Sequence, residues 1–203
     1  MASRETQIDR GIIRRARQGE GSELTALARR SKGLWGYDES FLSACEKELT
    51  VSDVELAHNP AYVIDDSGRI VGFYMLQPLT ISEVELTFLF VEPDEIGRGY
   101  GGRLLRHAVS TASNLEFRTM LIQGDPHADG FYRAMGARKI GTRSSESIPG
   151  RELPLYNIDL TVQEAASVPR ASRRGEWQAT ADAVEVSNTR AQCFAEEASA
   201  QMG

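Results

Sequence analysis

The sequence of 203 residues predicts a single α/β domain, built on a mixed, mostly antiparallel central sheet of about seven strands flanked by helices. Two observations predict this fold. Short runs of apolar, β-branched and aromatic residues alternate with stretches of helical periodicity, and the middle strands follow one another through connections too short to hold a helix. The periodicity persists to about residue 160, so we expect the domain to span residues 11–160.

The first half of the domain is expected to contain one strand, two helices and three consecutive strands. The first strand covers residues 11–17, and "GSELTALARRSK" then repeats apolar residues at helical spacing. A second short helix is expected over residues 41–49. In "AYVIDDSGRIVGFYML" the turn residues 65–68 separate two β-rich runs, which indicates a hairpin. "SEVELTFLFV" predicts a further strand over residues 83–91.

The second half adds two helices and three strands. After a glycine-rich stretch, the apolar residues from Leu104 to Ala112 share one helical face. "RTMLIQ" predicts a short buried strand, and "DPHADGFYRAMGA" predicts a helix with a proline near its start and Gly136 past its end. Two last strands, about residues 137–147 and 153–160, are joined by the turn "SIPGRE". This order of elements places helices on both faces of the sheet.

The two ends of the chain differ from the domain in composition. Residues 1–10 are polar, and residues 161–203 are rich in Ala, Ser and Glu without apolar periodicity. Segments that cannot bury enough apolar surface stay disordered. The sequence therefore predicts a flexible N-terminus and a low-complexity, disordered tail over 161–203. A terminal helix over residues 188–202 is the alternative, since alanine and glutamate favour helices.

Composition narrows the classes of function. The formal net charge of −6 and the pI near 5.2 argue against nucleic-acid binding, which usually needs a basic face. The two cysteines, Cys45 and Cys193, are too few and too far apart for a disulfide framework or a zinc ribbon, and the histidines show no metal-ligand spacing. No run approaches 18 apolar residues. We therefore expect a cytoplasmic protein without a metal and without a nucleic-acid or membrane partner.

The stretch "EIGRGYGGRLL", residues 95–105, places four glycines in six positions directly before a helical pattern. A strand, a glycine-rich turn and a helix start together form an anion-binding arrangement, because successive backbone N–H groups converge and the helix dipole adds positive charge. The missing side chains let phosphate oxygens reach the amides. The residues expected at this site are Gly97, Arg98, Gly99, Tyr100, Gly101, Gly102 and Arg103.

Two well-known phosphate motifs fit this loop poorly. A P-loop ends in Gly-Lys-Ser/Thr, where this chain has "GGRLL". The dinucleotide fingerprint G-x-G-x-x-G is formally present at Gly97, Gly99 and Gly102. However, it should follow directly on a strand of a parallel βαβ unit, and here "EPDEI" intervenes after an antiparallel meander.

The loop resembles the acyl-coenzyme A pyrophosphate loop of the GNAT superfamily of N-acetyltransferases, Gln/Arg-x-x-Gly-x-Gly/Ala. "DPHADGFYRAMGARKIG" is similar to a second motif of that superfamily, Asn-x-x-Ala-x-x-Phe-Tyr-x-x-x-Gly-Phe. Ala128, Phe131, Tyr132 and Gly136 match it, while Asp125 stands in place of the usual Asn. The resemblance covers about residues 11–160, including the order of the strands.

The resemblance implies that acetyl-coenzyme A lies in an opening between strand 83–91 and strand 118–123. Backbone groups of Leu89, Phe90 and Val91 would pair with the pantetheine amides as an added strand would. Asp125 and Phe131 would lie near the donor. Tyr132 stands where the superfamily has its general acid, which protonates the leaving thiolate.

Other site residues are suggested by the sequence itself. Glu83 and Glu85 lie two apart on one face of a strand, so either could take a proton from the substrate ammonium, and we favour Glu85. Trp35 and Tyr37 lie on either side of Gly36 on a predicted loop, and such loops often carry residues that bind an acceptor.

The predicted function is acetyl transfer from acetyl-coenzyme A to an amine of a small molecule or a peptide, by direct attack. Two alternatives stay open at this point: a coenzyme A-binding module without catalysis, and a dinucleotide-dependent oxidoreductase. The expected assembly is a monomer or a homodimer.

Overall fold

The structure is a computed structural model and describes residues 11–161. The flexible segment predicted over residues 1–10 lies outside the described residues, as does the predicted tail apart from Thr161. Those two predictions, and the domain boundaries drawn from them, stay predictions.

Seven strands form one sheet in the order β1-β2-β3-β4-β5-β7-β6, and every neighbouring pair is antiparallel except β4 with β5. The predicted mixed, mostly antiparallel sheet is therefore confirmed. The strands are β1 Ile12–Arg15, β2 Ala61–Asp66, β3 Arg69–Pro78, β4 Glu83–Val91, β5 Thr119–Gln123, β6 Arg138–Ser144 and β7 Glu152–Asp159.

The helices follow the predicted pattern with two differences. They are α1 Gly21–Gly33, α2 Glu39–Ala44, α3 Glu46–Leu49, α4 Asp53–His58, α5 Tyr100–Asn114 and α6 Asp129–Ala134. The single helix expected over residues 41–49 is divided into α2 and α3 at Cys45. The short helix α4 was not expected, although its start carries a clear signal: Ser52 and Glu55 form a capping box.

Two apolar cores lie on the two faces of the sheet. On one face α5 packs with its buried residues, among them Leu104 and Ala108, against the sheet together with Tyr132 of α6. On the other face the side chains of α1, including Leu24 and Leu27, pack with Phe73 and other residues of the meander. We call these the α5 face and the α1 face. Each of these two amphipathic helices buries its apolar face against the sheet and so covers one side of it.

The pairing of β4 with β5 is short. It covers only three positions, from Glu83 with Thr119 to Glu85 with Leu121. Beyond this point β4 continues along β3 as far as Val91, and β5 continues along β7 as far as Gln123. The two central strands therefore diverge and leave the V-shaped opening that the sequence resemblance implied. Along β4, the backbone of residues 86–91 on that side has no strand partner within residues 11–161.

A β-bulge lies where this divergence begins. Leu86 pairs with Leu76 and Phe88 pairs with Met75, so Thr87 is an extra residue without a partner of its own. Bulges reverse which side chains face each side of a sheet. Leu86 accordingly belongs to the α5-face core, whereas Phe88, two residues later, belongs to the α1-face core. The bulge therefore turns the backbone of β4 at the edge of the opening.

Candidate active site

The glycine-rich loop leads from β4 into α5. Gly97 and Gly99 have φ angles of +84° and +88°, a left-handed region that residues with a Cβ seldom enter, so the turn itself requires these glycines. The N–H of Arg103 donates to the Gly99 carbonyl at 3.1 Å as the first bond of α5. The N–H groups of residues 99–102 therefore have no acceptor within the helix, and no described side chain caps them. Free amides at a helix start bind anions.

Gly101 lies where this loop meets β4 and α6. A Cβ built on Gly101 would lie 3.5 Å from the Phe131 ring and 3.9 Å from Cγ2 of Val91, which are ordinary contact distances. The packing of the chain therefore does not demand glycine at this position, whereas close approach of a ligand to the backbone would. The structure brings together three residues predicted at the donor site: Gly101, Phe131 and Val91.

The side chains of the loop have partners elsewhere in the chain. Arg98 donates to Glu95 at 2.9 Å, and Arg103 donates to the backbone carbonyl of Gly11 at 2.7 Å. The Tyr100 side chain is buried in the α5-face core. An anion at this loop would therefore be bound mainly by backbone N–H groups. The positive charges of Arg98 and Arg103 lie beside them.

Tyr132 lies on α6, with its ring against the residue that follows β5. A Cβ on Gly124 would lie 2.9 Å from the Tyr132 ring, so the glycine makes room for it. Burial raises the pKa of Tyr132 above its usual value, and the neighbouring Tyr156 and Asp125 raise it further. Tyr132 is therefore protonated at neutral pH. Its hydroxyl makes no hydrogen bond within the described residues, whereas that of Tyr156 donates to Asp129 at 2.6 Å.

Glu85 lies at the last paired position of β4, where the opening begins. Its Oε1 accepts a hydrogen bond from Nη1 of Arg143 at 2.8 Å. Because its two neighbours on β4 point into the α5-face core, Glu85 lies on the α1 face. Glu83 shares that face but lies two residues farther from the opening. The structure therefore places Glu85, rather than Glu83, at the edge of the opening.

The two candidate proton-transfer groups lie on opposite faces of the sheet. Tyr132 belongs to the α5-face core, and Glu85 lies on the α1 face. Along β5, Leu121 pairs with Glu85, and Gly124 beneath the Tyr132 ring comes three residues later, about 10 Å for extended chain. The opening therefore separates an acid candidate on one face from a base candidate on the other.

Asp125 is the centre of a polar cluster, the Asp125 clamp, which consists of Lys32, Tyr37, Asp125 and Arg151. Its carboxylate accepts hydrogen bonds from Nζ of Lys32 at 2.8 Å, from the Tyr37 hydroxyl at 3.0 Å and from Arg151 at 3.4 Å. Burial opposes ionisation of Asp125, but the hydrogen bond and charge of Lys32, together with the hydrogen bonds from the His127 N–H and the Tyr37 hydroxyl, outweigh burial and lower its pKa. The clamp joins the end of α1, the loop after it, the β5–α6 connection and the β6–β7 turn.

Aromatic rings cover one side of the clamp. Tyr37 stacks on Phe41 with ring centroids 4.1 Å apart, and the Arg151 guanidinium lies 5.0 Å and 4.7 Å from the two centroids. Trp35, which is 39% exposed, stacks on His127 at 5.1 Å. Both aromatic residues predicted to line the acceptor site therefore contact the β5–α6 connection or residues bound to it.

Three charged residues of the site were not found from the sequence. Lys32 and Arg151 lie 93 and 26 residues from Asp125, and Arg143 lies 58 residues from Glu85. Nothing in the local pattern around any of them distinguishes it from a solvated surface residue. Only the fold brings them together.

The model of the Acetyltransferase (GNAT) family matches residues 23–137, more than half of the chain. The chain is 35% identical over 147 residues to a peptidyl-lysine N-acetyltransferase, YjaB, of Salmonella typhimurium, and the match covers 72% of this chain and 95% of that protein. The chain therefore belongs to the GNAT family of acetyltransferases. This confirms the prediction of an N-acetyltransferase.

Solved structures agree with this fold. A GCN5-related N-acetyltransferase from Rhodopseudomonas palustris superposes with a TM-score of 0.61 at 18% identity, covering 73% of this chain and 95% of that one. The PaiA N-acetyltransferase from Thermoplasma acidophilum, in complex with coenzyme A, superposes with a TM-score of 0.60 at 16% identity, covering 73% and 98%. At these identities the likeness concerns the fold.

Two further observations concern residues 11–161 only. No three side chains of His, Cys, Asp or Glu are grouped there so that they could hold a metal ion. None of the helices in this part of the chain has the length and apolar character needed to cross a membrane.

The geometry of the loop predicts the effect of substituting Gly101. Gly101→Ala should fold normally, since the added Cβ meets only ordinary contacts, but it should weaken coenzyme A binding about tenfold or more by crowding the free amides. Gly101→Val should abolish binding. Isothermal titration with coenzyme A measures both effects, and thermal denaturation reports on folding.

Gly130→Ala is the matched control, because a Cβ on Gly130 meets nothing within 4 Å and the residue lies outside the loop. It should bind coenzyme A as the unchanged protein does. Full affinity in a folded Gly101→Val protein would contradict the assignment of the loop.

Proposed function

We propose that this N-acetyltransferase takes its acetyl group from acetyl-coenzyme A, bound in the opening between β4 and β5. The observation that carries the proposal is the divergence of these strands after Glu85 and Leu121, between the free amides of residues 99–102 and the ring of Tyr132. The pyrophosphate would bind those amides, with Arg98 and Arg103 beside them. The coenzyme A in the PaiA relative supports this choice of donor.

The pantetheine arm would extend along the unpaired backbone of β4. Leu89, Phe90 and Val91 lie in the part of β4 that β5 does not pair, so their free backbone groups can bond the amides of the arm as another strand would. Phe131 packs near Gly101 at the start of α5, so its ring would line the donor site near the pyrophosphate. In this arrangement the thioester lies near the bulge at Thr87.

A backbone N–H of β4 near the bulge would stabilise the negative charge that develops on the thioester oxygen. The amine nitrogen attacks the carbonyl carbon, and the C–S bond then breaks to release the thiolate. Tyr132 is the hydrogen-bond and proton donor to that thiolate. Its protonated state at neutral pH and its unengaged hydroxyl support this role.

Glu85 is proposed as the base. The amine arrives as an ammonium ion and must lose a proton before it can attack. Glu85 lies on the α1 face at the edge of the opening, and a bridging water would carry the proton to its carboxylate. Arg143 holds that carboxylate in place. Glu83 is the alternative on the same face.

The acceptor is proposed to be a lysine side chain of a peptide or protein, or a small-molecule amine. The name of the YjaB relative, a peptidyl-lysine N-acetyltransferase, favours the peptide. The acceptor would enter on the α1 face, beside Trp35 and Tyr37. The cytoplasmic location, the monomeric or homodimeric state and the absence of nucleic-acid and membrane partners stay predictions from the sequence.

The proposed function is tested by measuring release of free thiol from acetyl-coenzyme A in the presence of lysine-containing peptides. The unchanged protein should acetylate the lysine.

Tyr132→Phe keeps the ring that packs on Gly124 but removes the proton donor, so turnover should fall about 10²–10⁴-fold while coenzyme A affinity holds. Turnover unaffected by Tyr132→Phe would remove the acid assignment, and release of no thiol with any amine would refute the function.

Glu85→Gln should produce a defect that depends on pH. The substitution removes a proton acceptor, so the rate should fall most at neutral pH, where the amine is protonated. At high pH the amine arrives already deprotonated, so the loss should shrink. The measurement is the pH profile of kcat/KM, with Glu83→Gln as the control on the same face. A pH-dependent defect in Glu83→Gln alone would assign the base to Glu83.

A further inference from the structure

The Asp125 clamp contains two cations and one carboxylate. Lys32 and Arg151 both contact Asp125, at 2.8 Å and 3.4 Å, and the three side chains are only 13%, 18% and 11% exposed. One carboxylate balances one of the two positive charges. The cluster therefore carries an excess positive charge in a place that water reaches poorly, and such a charge is stabilised by an additional anion.

Charged groups near the clamp do not remove this excess. Glu85 and Arg143 form their own ion pair at 2.8 Å, and Glu39 pairs with Arg29 on the surface of α1. Glu48 is near enough to act electrostatically on the Cys45 thiol, as Lys32, Arg151 and Asp125 also do. Within residues 11–161, however, the ion pairs of Lys32 and Arg151 are those with Asp125, and Glu48 pairs with neither cation. His127 reaches Asp125 through its backbone N–H alone.

Arg151 has the geometry of a group that can take the missing anion. Its guanidinium carbon lies 5.0 Å from the centroid of the Tyr37 ring and 4.7 Å from that of the Phe41 ring, and these contacts restrict where the group can move. One nitrogen, Nη2, donates to the Tyr37 hydroxyl and makes the long contact to Asp125. The Nε and Nη1 donors make no hydrogen bond within the part of the chain described here. A planar guanidinium with donors to spare binds a carboxylate through two parallel hydrogen bonds.

The clamp also lies on the side from which an acceptor would enter. Lys32 belongs to α1, and Phe41 packs against the α1-face core. Glu85, the proposed base, lies on the same face. Asp125 comes four residues after Leu121, the partner of Glu85 on β5, which corresponds to about 13 Å of extended chain. The clamp is therefore within reach of a group that lies several bonds away from the attacking amine.

We propose that the Asp125 clamp is a carboxylate-binding subsite of the acceptor site, with Arg151 as the residue that recognises the anion. This rests on the proposed function and names its substrate class: an amine with a carboxylate close by. The carboxylate can be the side chain of an acidic residue beside a peptide lysine, or the α-carboxylate of a free amino acid. Asp125 competes with the acceptor for Arg151 and so limits the strength of this recognition.

The experiment compares acceptors that differ only in the carboxylate. One pair consists of peptides with Glu or Gln beside the lysine, and the other of free lysine and lysine amide. The unchanged protein should show a kcat/KM about tenfold higher for the carboxylate member of at least one pair, because hydrogen bonds to charged groups are worth about that factor. The pair that shows the preference identifies the source of the carboxylate.

Two substitutions should move this preference in opposite directions. Arg151→Gln removes the guanidinium that would bind the carboxylate. It should bring the ratio of kcat/KM for the carboxylate acceptor to kcat/KM for its neutral counterpart close to one. Asp125→Asn removes the competing carboxylate and should raise the ratio, even if both rates fall. Arg29→Gln, which removes one positive charge from α1 outside the clamp, should leave the ratio unchanged.

A ratio near one in both pairs with the unchanged protein would overturn the subsite. Equal losses for both members of a pair in Arg151→Gln would also overturn it, since that result indicates a structural role alone. These outcomes differ from failure of the proposed function, in which none of the four acceptors is acetylated and both proposals fall.

Discussion

The arrangement of the site depends on one constraint: β4 and β5 are parallel neighbours that pair over only three positions. Each strand is held by its other neighbour beyond that point, β4 by β3 and β5 by β7, so neither can close the opening. The bulge at Thr87 lies at the same place, and a bulge bends the strand that carries it. Backbone groups that would otherwise pair within the sheet are left available to a ligand in the middle of the molecule.

The divergence also organises the chemistry around it. The loop of free amides follows the end of β4, and the ring of Tyr132 packs where β5 ends. Glu85 lies on the opposite face, and Lys32 of the Asp125 clamp belongs to α1, the helix that covers that face. A donor bound in the opening would therefore meet a proton donor on one face and an acceptor site with a base on the other, as direct transfer requires.

Local patterns were sufficient to predict the strands, the helices of the two faces and the glycine-rich loop, because alternation, helical periodicity and glycine spacing are properties of neighbouring residues. The opening was implied only by the resemblance to the GNAT superfamily. Local patterns do not predict contacts between residues that are far apart in the chain. The carboxylate of Asp125, a residue predicted to lie near the donor, accepts hydrogen bonds from Lys32, Tyr37 and Arg151, and no local pattern indicates these three partners. The division of the expected helix at Cys45, a residue buried in the α1-face core, has no signal in the local pattern either.

Amide hydrogen exchange with and without coenzyme A tests the central claim most directly, namely that the donor binds in the opening between β4 and β5. Coenzyme A should slow exchange in two separate segments, residues 86–91 of β4 and residues 99–102 at the start of α5. The reason is that oxygen atoms of the ligand would accept hydrogen bonds from the free N–H groups there, and the ligand would shield them from water. The amides of β2, which are paired on both sides, should change little. Binding of coenzyme A without protection of either segment would contradict this account.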